Sequence, residues 1–331
     1  MPEKARTVKG FGERGLIRWF QELITPFDGA LLKGMEDAVA VPINEHALVV
    51  NTDMLVASTD VLPEMTASEI AWKAGVMGLS DLAAKGVRPL GLVASLGFPE
   101  TTEANFVAAI VGGLNSVCRE HATYYLGGDT NQCVELVIDC TAFGTVPKNQ
   151  LIRRRGASPG DIIAVTGEFG YTGTLLRAIY ENRQEPSQLL TQIRERALRP
   201  HARLREGQLL AQKKSVTAAI DSSDGLAWSL HELATASEVG FQIDRLPIPL
   251  ICTKFAAANG WDVIDLALYG GEEFELVVTI SSRKWKTAQQ TLEMVGRQLI
   301  PIGKVVEAPK KQLVLKGEER VIEPKGYEHF C

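Results

Sequence analysis

Apolar runs in this chain repeatedly stop on an aspartate flanked by a hydroxyl, an amide or a glycine. The fullest case is "VTAAIDSSDGLAWSLHELATAS", residues 216–237. There a strand-like run closes on Asp221-Ser222-Ser223-Asp224-Gly225 and passes straight into a helical pattern. Carboxylates crowded at one turn repel each other, so such a turn needs strong local hydrogen bonding or a bound cation. The same chemistry recurs at Asn51-Thr52-Asp53 and at Gly127-Gly128-Asp129-Thr130, both following apolar runs. Ser80-Asp81 lies inside a helical pattern, where aspartate has poor intrinsic propensity, and Glu36-Asp37 adds a fifth acidic position.

The spacing between these turns sets the architecture. "HALVVNTD" reads as a buried strand, residues 68–87 as a helix stopping at Gly86 and Pro89, and "LGLVASLGF" as a second strand. A second helix follows over 103–122, then strands in "TYYLGGDT" and "VELVIDCTAFGTVP". The polar stretch 148–161 breaks the periodicity and is the expected domain boundary, dividing the chain into 1–149 and 150–331. Beyond it, strands are expected in "DIIAVTG", "VTAAID", "FQIDRLPI", "FELVVTI", "IPIGKVV" and "KQLVLKG". Helices are expected over 173–182, 188–211, 226–237 and 283–296. Mixed strand and helix order in both halves argues for two α/β or α+β domains.

Composition narrows the function. A formal charge of -5 on 331 residues, with no basic block, gives no electrostatic support for a nucleic-acid surface. The five cysteines form no C-x-x-C pair and the five histidines are scattered, which disfavours a thiolate zinc site. No apolar stretch reaches 18 residues and the first fifteen residues lack an apolar signal core, so the expected setting is the cytoplasm, away from membranes.

Taken singly, each acidic position is better explained as a helix cap or a turn than as a ligand. Together they form a set of hard oxygen donors suited to Mg²⁺, which binds through a few carboxylates plus the phosphates of a nucleotide. The glycines of "TGEFGYTGTLL", Gly167, Gly170 and Gly173, present backbone N–H groups to phosphate or else permit close packing. Glu272-Glu273 before "FELVVTI" orients a ligand or is a solvated turn; Arg153 to Arg155 contact phosphate or form a solvated linker. No G-x-x-x-x-G-K-[ST] loop, H-R-D…D-F-G pair or strand-linked G-x-G-x-x-G is present, so ATP would need another scaffold.

In order, "NTDMLV", "GLSDLAAKGVRP", "GGDT", "RRRGASPGDIIAVTG", "AIDSSDGL", "GGEEFEL" and "GYEHF" resemble the thiamine-monophosphate kinase family, within the aminoimidazole-ribonucleotide synthetase-like (PurM-like) superfamily, from about Gly15 to Phe330. The resemblance implies ATP-dependent phosphorylation of thiamine monophosphate to thiamine diphosphate, by direct in-line transfer with several Mg²⁺ ions. It also implies an N-terminal ATP-, Mg²⁺- and dimer-forming domain whose mixed sheet closes into a barrel in a homodimer, plus a C-terminal α/β domain.

Position by position, the resemblance implies metal ligands at Asp37, Asn51, Thr52, Asp53, Asp81, Asp129, Asp221 and Asp224, with Asp53 and Asp221 essential to catalysis. Gly128, Arg154 and Ser223 match nucleotide contacts, and Asp60, Glu272 and Tyr327 match acceptor contacts. The chain departs from the family pattern in places. Met35-Glu36-Asp37 replaces G-D-D, Asp60 stands near the family's histidine, Glu272-Glu273-Phe274 replaces E-D-Y, and Tyr327 replaces a tryptophan. These departures keep two alternatives in view: a PurM-like synthetase or phosphotransferase with another acceptor, and a nucleotide-binding protein without turnover.

Overall fold

Among residues 7–330, which the computed structural model describes, β1 (Val39–Ile43), β2 (His46–Val56), β3 (Arg88–Phe98), β4 (Tyr125–Gln132) and β5 (Val137–Pro147) form one sheet. Their order is β1-β2-β5-β3-β4, antiparallel except for the β3–β4 pair, which the helix Ala104–Glu120 connects as a crossover. Buried and half-exposed residues alternate along all of β5, so one face of the sheet is packed and the other uncovered. The packed face carries the helix Ala67–Ala84, which is buried along most of its length and starts in a capping box between Thr66 and Glu69.

This pleat sorts the acidic turn of β2. Asn51, Asp53 and Leu55 point to the helix-covered face, whereas Thr52 and Met54 point to the uncovered one.

The second sheet holds β6 (Ile162–Val165), β7 (Val216–Asp221), β8 (Gly240–Ile243), β9 (Leu276–Ile280), β10 (Ile300–Val306), β11 (Lys311–Leu315) and β12 (Glu318–Val321), in the order β12-β11-β8-β10-β6-β9-β7. It is also mixed, with β8 and β11 parallel. Strand β9 is buried at every position, as its unbroken apolar run requires. Edge strand β7 lies against the helix Ala67–Ala84, so the first sheet's covering helix meets the second sheet at the Asp221 turn.

Two expectations are corrected in detail. The helix expected over 188–211 is two helices, Ser187–Ala197 and Leu204–Gln212, because Pro200 cannot continue a helix. Between β8 and β9 the chain forms two further short helices, Leu250–Asn259 and Val263–Tyr269, the second capped by Asp262, whose carboxylate accepts the N–H of Ile264 at 2.8 Å.

Candidate active site

Asp37, Asp81 and Asp221 reach one point from three elements: the loop before β1, the helix Ala67–Ala84 and the end of β7. Their carboxylate oxygens lie within 4.8 Å of one another. Ser80 donates to Asp221 Oδ2 at 2.6 Å, and Asn51 Nδ2 donates to Asp81 Oδ2 at 2.8 Å. Burial pushes Asp221 up to about 6, with the charge of Asp37 adding to it and the Ser80 hydrogen bond opposing it. Asp81 is raised well above the usual carboxylate range by burial and by Asp221, Asp37 and Asp53. Asp53 rises to about 7 through burial and the charges of Asp221 and Asp224, which places it beside the same group. Asp224 also rises to about 7, from burial and then Glu13, against the pull of Arg14.

Asp37 behaves differently. Burial raises it, but the charges and hydrogen bonds of Lys85 and Arg154 together outweigh burial and hold it below its ordinary value. Lys85 Nζ is fully buried, 2.7 Å from Asp37 Oδ2, and also pairs with Glu36. Arg154 pairs with Asp37 and, at 3.2 Å, with Glu232, while its backbone N–H donates to Glu36 at 3.0 Å. Glu232 in turn pairs with Arg14, which lies 3.3 Å from Asp224 and 3.6 Å above the ring of Trp228.

The donor set fits a hard cation. Carboxylates that cannot all ionise side by side are stabilised by a divalent ion among them. The Oδ1 of Asn51 is buried with no hydrogen-bond partner beside them, an acceptor that a cation or its water would satisfy.

The other sequence-predicted residues fall outside this group in the single chain. Thr52 faces the uncovered side of the sheet and donates to Asp139 at 2.5 Å. Asp129 is exposed on β4, opposite Ser95 of β3. Gly128 beside it cannot carry a side chain, because a Cβ would fall 1.8 Å from the carbonyl oxygen of Ala94. Ser223 is half-buried in the turn, and its carbonyl accepts the N–H of Glu272 at 2.5 Å.

Asp60, Glu272 and Tyr327 do converge. Burial lifts Tyr327 to about 12, and the charges of Asp60 and then Glu272 add to it. Lys73 links the two acidic positions, pairing with Glu272 and donating to the Asp60 carbonyl at 2.7 Å. The Asp60 carboxylate is itself occupied: it accepts from the Val56 N–H and the Thr59 hydroxyl, each at 2.8 Å.

For the glycine loop, packing accounts for the geometry. Glu273 Oε1 accepts the N–H groups of Gly170 at 2.9 Å and Thr172 at 3.3 Å, and a Cβ on Gly173 would lie 2.3 Å from the Leu266 carbonyl oxygen. Lys85, Arg14, Glu232 and Lys73 escaped the sequence reading. Only Lys85 left a signal, a lone cation closing the apolar helix "LSDLAAK".

The chain belongs to the class of AIR synthase related proteins. The N-terminal domain model of "AIR synthase related protein" matches residues 35–146 and the C-terminal domain model matches 158–316. Within the class the chain belongs to the thiamine-monophosphate kinase family. It is 38% identical to thiamine-monophosphate kinase of Pyrococcus horikoshii, over 86% of this chain and 87% of that protein. It is 33% identical to the protein of that name from Synechococcus elongatus, over 98% of each. A solved structure described as AaThiL complexed with AMPPCP and TMP superposes with a TM-score of 0.85 at 26% identity, covering 99% of this chain and 100% of that one. The hydrogenase maturation protein HypE, in complex with HypF, shares the fold at 19% identity and a TM-score of 0.74.

Proposed function

We propose that this chain transfers the terminal phosphoryl group of ATP directly to the phosphate of thiamine monophosphate. A bond forms between an acceptor phosphate oxygen and the γ-phosphorus, and the bond from that phosphorus to the ADP oxygen breaks. The observation that carries the reading is the convergence of Asp37, Asp81 and Asp221 in a chain that matches thiamine-monophosphate kinases over nearly its whole length. Neither a different acceptor nor a protein without turnover is favoured by those relatives.

Asp37, Asp81 and Asp221, with Asp53 and Asp224 beside them, would hold Mg²⁺. Bound there, Mg²⁺ neutralises phosphate charge as it is redistributed in a loose transition state. The rest falls to the chain's own groups. The acceptor oxygen is already anionic, so positioning matters more than a strong base. Ser80 and Asn51 fix the carboxylates of Asp221 and Asp81, and Lys85 keeps Asp37 ionised. Arg154, oriented by Asp37 and Glu232, is assigned to the nucleotide with Gly128 and Ser223. Tyr327 is assigned to the thiamine ring, where a half-exposed phenol face stacks on an aromatic cation, with Glu272 alongside.

Thr52 and Asp129 face the uncovered side of the first sheet, which also exposes Val39 and Met54, while Leu126 is exposed on its edge strand. A second copy closing a barrel over that face would enclose them, so the homodimer is part of the reading. A division at residues 149/150 and a cytoplasmic setting complete it. The test is conversion of thiamine monophosphate to thiamine diphosphate with stoichiometric ADP, and its loss in Asp221→Ala.

A further inference from the structure

A cavity of about 720 Å³ lies away from the carboxylate cluster. It lies within the second domain, beyond the Glu272-Glu273 turn, and none of Asp37, Asp53, Asp81 or Asp221 lines it. Its volume is that of a small-molecule site. Arg196, Arg199 and Arg245 line it and, among the described residues, none of the three is in an ion pair. Arg199 is steadied over the ring of Trp72 at 4.3 Å. Two further arginines there are committed: Arg203 is held by Glu275, and Arg297 reaches buried Glu206 at 3.4 Å.

Glu273 stands in the wall of the cavity. Glu273 is 8% exposed; its Oε1 takes the N–H groups of Gly170 and Thr172, while its Oε2 is buried with no hydrogen-bond partner. Three guanidiniums free of carboxylates suit phosphate oxygens, which they contact through paired N–H groups.

We propose that this cavity is a second ligand site, apart from the carboxylate cluster and bordering the acceptor contacts at Glu272. Its ligand is a diphosphate-bearing small molecule whose anionic end takes Arg196, Arg199 and Arg245. The diphosphate comes from a nucleoside diphosphate or from a diphosphate ester of a heterocyclic coenzyme. Because Glu272 borders the cavity and pairs with Lys73, which holds the Asp60 turn, occupancy has a short physical route to the acceptor contacts. The site stands on its own geometry and does not rest on the kinase reading.

The test is calorimetric titration of the whole chain with inorganic diphosphate, ADP and thiamine diphosphate in EDTA, where the carboxylate cluster repels anions. Saturable binding of inorganic diphosphate is expected, weakened at least tenfold in Arg196→Ala/Arg245→Ala and unchanged in Asp221→Asn. Both arginines are exposed, so the variant keeps the fold, which circular dichroism verifies. Tighter binding of ADP than of thiamine diphosphate assigns the site to the nucleotide, the reverse order assigns it to the coenzyme, and equal affinities assign it to the diphosphate group alone. No binding in EDTA, or binding that the double variant leaves unchanged, overturns the proposal.

Discussion

Ser80 and Asp221 are joined by a 2.6 Å hydrogen bond although 141 residues separate them in the chain. The bond fastens the helix under the first sheet to the edge strand of the second, at the point where the carboxylates meet. Ser80→Ala leaves Asp221 without its buried donor and is expected to destabilise the protein by about 1.5–3 kcal/mol. Urea denaturation measures it; a loss near zero would show that the bond does not hold the domains in register.

Lys85 is the buried counter-charge to Glu36 and Asp37. Lys85→Met removes it while keeping the apolar stem, and is expected to cost about 3–5 kcal/mol, because two acids are left buried without that partner. Adding Mg²⁺ should return part of the lost melting temperature if a cation replaces the ammonium. A melting temperature indifferent to Mg²⁺ would contradict the assignment of Asp37.

Burial raises Glu273 to about 8 from an ordinary value of 4.5, so the folded chain keeps a proton that the unfolded chain has released. The contribution of Glu273 to stability therefore falls as pH rises between about 4.5 and 8, the window in which it holds a proton in the folded state only. Glu273→Gln removes this titration, and its unfolding free energy in EDTA should depend less steeply on pH than that of the parent protein. Parallel curves would show that Glu273 is ionised in the fold.

Asp60 closes its own turn through Val56 and Thr59, and it also faces Tyr327. Asp60→His is expected to lower stability by about 1.5–3 kcal/mol through the lost charge-assisted bonds, whatever it does to substrate use. Tyr327→Ala is expected to raise the KM for thiamine monophosphate about tenfold with little change for ATP, as loss of one stacking contact would. Equal effects on both substrates in steady-state kinetics would move Tyr327 out of the acceptor site.

The uncovered face of the first sheet carries Met54, 54% exposed, on a central strand. Met54→Asp is expected to convert a dimer to a monomer in sedimentation, since a charge at that position would be buried without a partner in the interface. A monomeric parent protein would contradict the barrel.

Most of this site was legible because its carboxylates interrupt apolar periodicity. Asp221 closes an apolar run, and Asp81 sits in a helix where little else explains an aspartate. The resemblance takes no account of the pleat of β2, which turns Asn51 and Asp53 inward and Thr52 outward and so separates three neighbours grouped as one ligand set. It names Arg154 as a nucleotide contact, but the acidic partners of the cations were not legible. Arg14, Lys85 and Arg154 reach Glu36, Asp37, Asp224 and Glu232 across tens to hundreds of residues, and nothing local in "ERGL" or "AAKG" records those partners. The helix 188–211 failed for a local reason that was visible, Pro200, whereas the helices at 250–259 and 263–269 are too short to show a full periodic stripe.

The central claim is that the carboxylate group carries phosphoryl transfer to thiamine monophosphate. Purified protein with Mg²⁺, ATP and thiamine monophosphate is expected to form thiamine diphosphate and ADP in equal amounts by chromatography, with Asp221→Ala folded and inactive. ADP formed without thiamine diphosphate, or a folded Asp221→Ala that retains activity, would contradict it.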